Sequence, residues 1–194
     1  MELKNIMPNK LILIGASTGG PGEIEKIILS LPQIHNTSFI IAQHMVKGFI
    51  PSFAKRLQEH SSNSVLMATD GTSLKPGHIY LCNGFTVVKK SRHGLYFDNK
   101  PTDDSNFNPD INTIFNSCIP LTSNIKILSI ILTGIGDDGV KACKDLSLNG
   151  ARCVTESEIS AIVDGMPSRA RKEVPNIEVS DINGIIDKIR GFCN

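Results

Sequence analysis

Two rhythms of apolar positions alternate along this chain. "KLILIGA" at 10–16 is an unbroken aliphatic run closed by small residues, as expected of a strand covered on both faces. "EIEKIILSL" at 23–31 then spaces its isoleucines and leucines at helical intervals, and Pro21 suits the first turn of that helix. The alternation repeats. "SFIIAQ" (38–43) predicts a second strand, "PSFAKRLQEH" (51–60) a helix opened by proline, and "SVLMA" (64–68) a third strand. Between 77 and 98 the runs "GHIYLCNG", "FTVVKKSRHG" and "LYFD" are short, β-rich and broken by glycine, which predicts antiparallel hairpins. A polar loop covers 100–109 and a helix about 110–117.

The strongest buried strand is "IKILSIILTG" (125–134). "GIGDDG" follows it, then a helix stopped at Asn149-Gly150. "ARCVT" is another strand, a helix starts near Pro167, and "DINGIIDKIRGF" (181–192) is the last helix. Strand alternating with helix implies an open, mostly parallel α/β sheet with an antiparallel β-hairpin excursion, in a single domain. The length of 194 residues suits one such domain.

Composition narrows the function classes. A net charge of +1, from 20 basic and 19 acidic residues, gives no basic surplus for nucleic acid or an anionic membrane. Five cysteines without a Cys-x-x-Cys pair argue against a zinc cluster or a disulfide framework and for buried reduced thiols. No apolar run is long enough to span a bilayer, and the first ten residues lack the apolar core of a signal peptide. A soluble, cytoplasmic protein is expected.

In open α/β sheets, sites form beyond the carboxyl ends of the strands. Three predicted strands deliver reactive side chains there: Ser17 after the first, His44 after the second ("IIAQHM"), and Asp137 with Asp138 after "ILTG". A hydroxyl nucleophile needs a base, and the base needs a carboxylate to fix its tautomer. Residues 15–19, "GASTG", match G-x-S-x-G, in which glycines turn a strand sharply and expose the hydroxyl. The same residues could instead form a turn whose serine only caps the helix. His35, His60 and His93 lie in polar contexts and His78 begins a hairpin strand, so His44 is the candidate base. One aspartate of the pair can cap the next helix while the other acts, and spacing does not say which. A cation site would need a second acidic cluster, and only "TDDS" at 102–105 offers one.

A dinucleotide-binding reading of "GASTGGPG" is weaker. The second strand ends in "AQHM", with no acidic residue for a ribose. The Tyr-x-x-x-Lys at 96–100 follows a β-rich run and meets Pro101, so its two side chains would not share a helix face.

Taken together, "LIGASTGGP", "IIAQHM", "DGTSLKPGHIYL", "ILTGIGDDG" and "DGMPSRA" resemble the catalytic domain of the chemotaxis protein-glutamate methylesterases, the CheB family, over 10–192. The resemblance implies a doubly wound sheet and a serine hydrolase that removes methyl esters from glutamates of methyl-accepting chemoreceptors, releasing methanol. It also implies deamidation of receptor glutamines. Carried onto this chain, the nucleophile is Ser17, the base His44 and the acid Asp138 rather than Asp137. Ile135 offers a backbone N–H to the oxyanion, and Thr18 stands beside the nucleophile to support the histidine or the substrate. No metal or organic cofactor is implied, and the partner is the cytoplasmic helical region of the receptors.

The departures are specific. The family usually carries an N-terminal receiver domain, whereas about nine residues precede the first strand here, so phosphorylation in cis is not expected. The family commonly has methionine where Ile135 stands, and its Arg-Pro-Ser-x-Asp stretch reads "NPDIN" at 108–112. "DGMPSRA" is read as a turn and helix start, and "KKSR" (89–92) as a solvated hairpin tip rather than a receptor contact. The competing function is a non-catalytic receptor-binding module on the same fold. It shares receptor binding with the esterase, so only methanol release separates the two.

Overall fold

The structure, a computed structural model, describes residues 7–100 and 108–194. Among these, seven parallel strands form one sheet in the order β3-β4-β2-β1-β7-β8-β9. The strands are β1 (Lys10–Ala16), β2 (Thr37–Gln43), β3 (Ser64–Met67), β4 (His78–Leu81), β7 (Lys126–Ile131), β8 (Arg152–Glu156) and β9 (Glu178–Ser180). A separate antiparallel pair, β5 (Phe85–Ser91) and β6 (Gly94–Lys100), makes the hairpin excursion.

Successive side chains of a strand point to opposite faces. In β1, Leu11 and Leu13 therefore enter one core while Ile12 and Ile14 enter the other, and all four are fully buried. This two-sided burial is why the central strands read as unbroken apolar runs. One face is covered by α1 (Gly20–Leu29), α2 (Ile50–His60) and α6 (Ile182–Cys193), through residues such as Ile24, Phe53 and Ile185. The other is covered by α3 (Ile111–Cys118), α4 (Val140–Leu148), α5 (Met166–Glu173) and the hairpin, through Phe115, Cys143, Met166 and Phe97.

Two expectations change. "GHIYL" is not part of an antiparallel hairpin: β4 lies parallel between β2 and β3 inside the main sheet. Its Tyr80 is buried, donates to the Ser73 carbonyl at 2.9 Å and packs on Phe97 of the hairpin, so the glycine-rich surroundings conceal a core strand. The short edge strand β9 has no counterpart in the periodicity, because three residues with one exposed valine carry no pattern. The Tyr96–Lys100 spacing falls on a strand, which removes the geometry a dehydrogenase would need. The thiols of Cys82, Cys118, Cys143 and Cys153 are buried and free of disulfides. No helix among the described residues is long and apolar enough to cross a membrane.

The topology places the site. From β1 the chain steps to β2 on one side and later to β7 on the other, so the strand order reverses between β1 and β7. The loops leaving a switch point diverge and open a crevice at the carboxyl ends of these strands. Ser17, His44 and the "GIGDDG" loop all leave strands at this crevice.

Candidate active site

Ala16 of β1 is in register with Gln43 of β2, so Ser17 and His44 leave the sheet side by side. The His44 N–H donates to the Ala16 carbonyl at 2.9 Å and the Ser17 N–H to the Thr133 carbonyl at 3.0 Å. These main-chain bonds extend the sheet one step past its formal ends. They bind the serine turn to both neighbouring strands.

The turn itself depends on two glycines. Gly19 has φ 88°, a left-handed conformation that L side chains rarely adopt, and a Cβ there would press on Ile162. Gly134 is needed for a different reason: a Cβ on it would lie 2.7 Å from the Ser17 Cβ. The backbone of the "GIGDDG" loop thus touches the serine directly. That contact is held from behind, where the Gly134 N–H donates to the Val163 carbonyl and its carbonyl accepts from the Met166 N–H, at 3.0 and 2.8 Å. Ile135 is the next residue, with its side chain exposed and its N–H unused by any hydrogen bond among the described residues. Thr18 is exposed at the rim, and its carbonyl accepts from the Thr133 hydroxyl at 2.9 Å.

His44 Nε2 lies 2.7 Å from Asp138 Oδ2. Asp138 is 4% exposed, whereas Asp137 faces solvent, a distinction that two adjacent aspartates in a sequence do not display. Asp138 also accepts main-chain N–H groups from the start of α3: Ile111 at 2.8 Å on Oδ2 and Asn112 at 3.0 Å on Oδ1. Burial pushes this carboxyl's pKa upward. The hydrogen bonds from His44, Ile111 and Asn112, with the imidazole's charge, outweigh burial and hold it below the usual carboxylate range. A helix N-terminus favours the same ionised state.

The "NPDIN" stretch thereby acquires a definite place. Its Asp110 caps α3 by accepting the Thr113 N–H at 2.7 Å, and its backbone grips Asp138. Asn108 clamps the segment after His44: its carbonyl accepts the Met45 N–H and its amide donates to the Met45 carbonyl, at 2.9 and 3.1 Å. "DGMPSRA" is a turn and helix start, as expected; its buried Met166 and half-buried Gly165 pack under the Gly134–Ile135 backbone. "KKSR" lies at the exposed end of the hairpin, where Lys89 pairs with Asp98. The "TDDS" stretch lies outside the described residues. Among the described residues no group of three or more His, Cys, Asp or Glu side chains could hold a metal ion.

Gln43 and Thr133 were absent from the sequence-based candidates. The buried Gln43 amide donates to the Ser17 and His44 carbonyls, both at 2.8 Å, and joins the two loops. A polar residue closing the aliphatic strand "SFIIAQ" was the available signal, because a buried amide must find partners. Thr133 is fully buried and serves the serine turn with both its carbonyl and its hydroxyl.

A serine on a tight turn, a histidine from the adjacent strand and an ionised aspartate fixed by three donors have the composition required for acyl transfer through a serine ester. The model of the CheB methylesterase family matches residues 12–189. The protein-glutamate methylesterase/protein-glutamine glutaminase 2 of Carboxydothermus hydrogenoformans is 34% identical over 186 residues, covering 93% of this chain and 52% of that protein. The corresponding Bacillus subtilis protein is 36% identical, with 93% and 51% covered. The chain spans about half the length of the curated relatives it matches. The crystal structure of the Thermotoga maritima CheB methylesterase catalytic domain superposes with a TM-score of 0.85 at 28% identity, covering 94% of this chain and 98% of that one. This chain belongs to the CheB methylesterase family.

Proposed function

We propose that this chain is a serine esterase that hydrolyses methyl esters on glutamate side chains of methyl-accepting chemoreceptors, and that the same site deamidates receptor glutamines. The 2.7 Å bond between His44 and Asp138, beside Ser17 at the switch point, carries the reading. In this mechanism Ser17 Oγ attacks the ester carbonyl. Because His44 Nε2–H donates to Asp138, Nδ1 is the nitrogen that takes the serine proton. This is the reverse of the nitrogen usage in the best-known Ser-His-Asp triads. The negative charge of the tetrahedral intermediate forms on the carbonyl oxygen, and the Ile135 N–H stabilises it. One such donor typically contributes ~3 kcal/mol.

His44 then protonates the departing methoxide, methanol leaves, and water hydrolyses the glutamyl-serine ester by the same route. An amide is cleaved in the same way with ammonia as the leaving group, which agrees with the double names of the relatives. Asp138 stays ionised throughout and fixes the imidazole. Thr18, exposed beside the nucleophile, meets the substrate at the rim. The reaction uses side chains and backbone alone.

Methanol release from methylated receptor membranes tests the proposal. The wild-type chain releases methanol and Ser17→Ala releases none above the uncatalysed rate. Equal release by both would remove Ser17 as the nucleophile, and none from wild type while receptor binding persists would replace the esterase with a non-catalytic receptor-binding module.

A further inference from the structure

Glu23 of α1 and Glu156 at the end of β8 meet beneath the Ser17 turn, with 8% and 0% exposure. The proposed mechanism uses neither. Each oxygen of Glu156 accepts one hydrogen bond and keeps a second lone pair: Oε2 takes the Thr133 N–H at 3.0 Å and Oε1 takes the Ser160 hydroxyl at 2.8 Å. Glu23 Oε2 is buried and finds no donor among the described residues. Two ionised carboxyls in contact without solvent would repel strongly, and each would also suffer desolvation. One proton removes both difficulties, because Glu23 can then donate to Glu156.

We propose that Glu23 and Glu156 share one buried proton, and that this acid pair positions the Ser17 turn through Thr133. The connection is continuous. Glu156 holds the Thr133 N–H, the Thr133 carbonyl holds the Ser17 N–H, and the Thr133 hydroxyl holds the Thr18 carbonyl. The Val163 N–H, donating to the Thr133 hydroxyl at 2.8 Å, ties the neighbouring loop to the same point. Glu23 and Glu156 are positioning residues, since neither touches a reacting atom.

The surroundings favour a protonated Glu23. Burial, then the hydrogen bond and charge of Glu156, push its pKa up to about 9, against the opposing pull of the Thr133 N–H and Lys26. Three other charges near these elements are already engaged. Glu25 on the outer side of α1 pairs with Arg56 of α2 at 3.3 Å. Arg171 of α5 donates to the Glu156 main-chain carbonyl at 3.0 Å and to Asp164 at 2.5 Å. Arg190 of α6 reaches the Ser30 carbonyl at the far end of α1. Loss of the shared proton would leave two like charges behind the nucleophile, and the strain would pass to Thr133.

The structural half of the proposal is tested without activity. In the full chain, 13C-labelled glutamate carboxyls and 15N backbone amides are followed by NMR from neutral to alkaline pH. Glu23 titrates near about pH 9, and the Ser17 and Thr133 amides shift with the same midpoint. Glu23→Gln, which keeps a donor toward Glu156, abolishes that amide titration. If Glu23→Gln does not fold, Glu156→Gln, whose amide donates toward Glu23, serves in its place. Titration of Glu23 below pH 6, or amides that do not follow it, overturns the proposal.

The positioning half rests on the esterase reading and is scored by methanol release. Glu23→Gln retains about tenfold more kcat than Glu23→Ala and loses the alkaline limb of the wild-type profile. Equal kcat in the two variants, with the limb unchanged, refutes positioning even if the NMR titration stands. A chain with no esterase activity but an intact NMR titration would instead remove the esterase reading and leave the shared proton in place.

Discussion

Two buried carboxyls flank the Ser17 turn from opposite faces of the sheet, and they are driven to opposite protonation states. Asp138, on the side covered by α3 and α4, sees three donors and is held below its usual pKa. Glu23, on the side covered by α1, is pushed up to about 9 by burial and by the second carboxyl beside it. Burial is comparable, at 4% and 8% exposure, so burial cannot be what separates them. The partners separate them: a helix N-terminus and an imidazole favour charge, whereas another acid favours a proton. In the proposed mechanism the side that stabilises an imidazolium keeps a negative charge, and the side proposed to hold the turn gives one up.

The largest test of this contrast is Asp138→Asn. It removes the charge and leaves a single acceptor oxygen for the three donors His44, Ile111 and Asn112, and kcat for methanol release should fall about 10⁴-fold. A loss below tenfold would show that Asp138 does not support the base. Gln43→Ala comes next. It cuts the amide link between the Ser17 and His44 carbonyls, and kcat should fall about 10–100-fold, by analogy with the loss of other supporting contacts around a site. Unchanged kcat would show that the two loops hold their spacing without it.

The third prediction opposes the two carboxyls in stability, measured by urea unfolding across pH. A depressed folded pKa stabilises above the ordinary value and loses that contribution as pH falls. Wild type should therefore lose stability relative to Asp138→Asn as pH drops below the ordinary value of 3.8. A raised folded pKa works the other way: its favourable contribution is complete below the unfolded value and is lost as pH rises. Wild type should lose stability relative to Glu23→Gln as pH climbs from 4.5 toward about 9, and the gap should then level off. Parallel slopes for the two pairs would break the contrast. The smallest effect belongs to Asp137→Asn. Its exposed side chain should leave kcat within about twofold of wild type, the range expected of surface substitutions. A loss matching that of Asp138→Asn would move the acid to Asp137.

Some parts of this molecule are legible one segment at a time and others are not. The strands β1, β2 and β7 stand out because burial on both faces leaves no polar interruption. β4 carries the same burial in only four residues, next to glycines and a true hairpin, so its run resembles its neighbours and its parallel pairing is hidden. Ser17 and His44 are visible because each follows a buried strand. Glu23 resembles an ordinary first-turn helix acid, and Glu156 the polar end of a strand. Nothing local marks either as half of a pair.

By itself, then, the order of apolar and polar residues determined the open α/β sheet, the ends at which chemistry could gather, and the residue types available there. Local patterning decides those features, because side-chain period and turn chemistry act over a few residues. The motif resemblance already pointed to Asp138, whereas only the tertiary structure decided that the α3 backbone holds it ionised, and that two glutamates 133 positions apart (23 and 156) come together behind the serine. Those outcomes depend on which donors and charges surround a buried group, and its surroundings are assembled from segments distant in the chain.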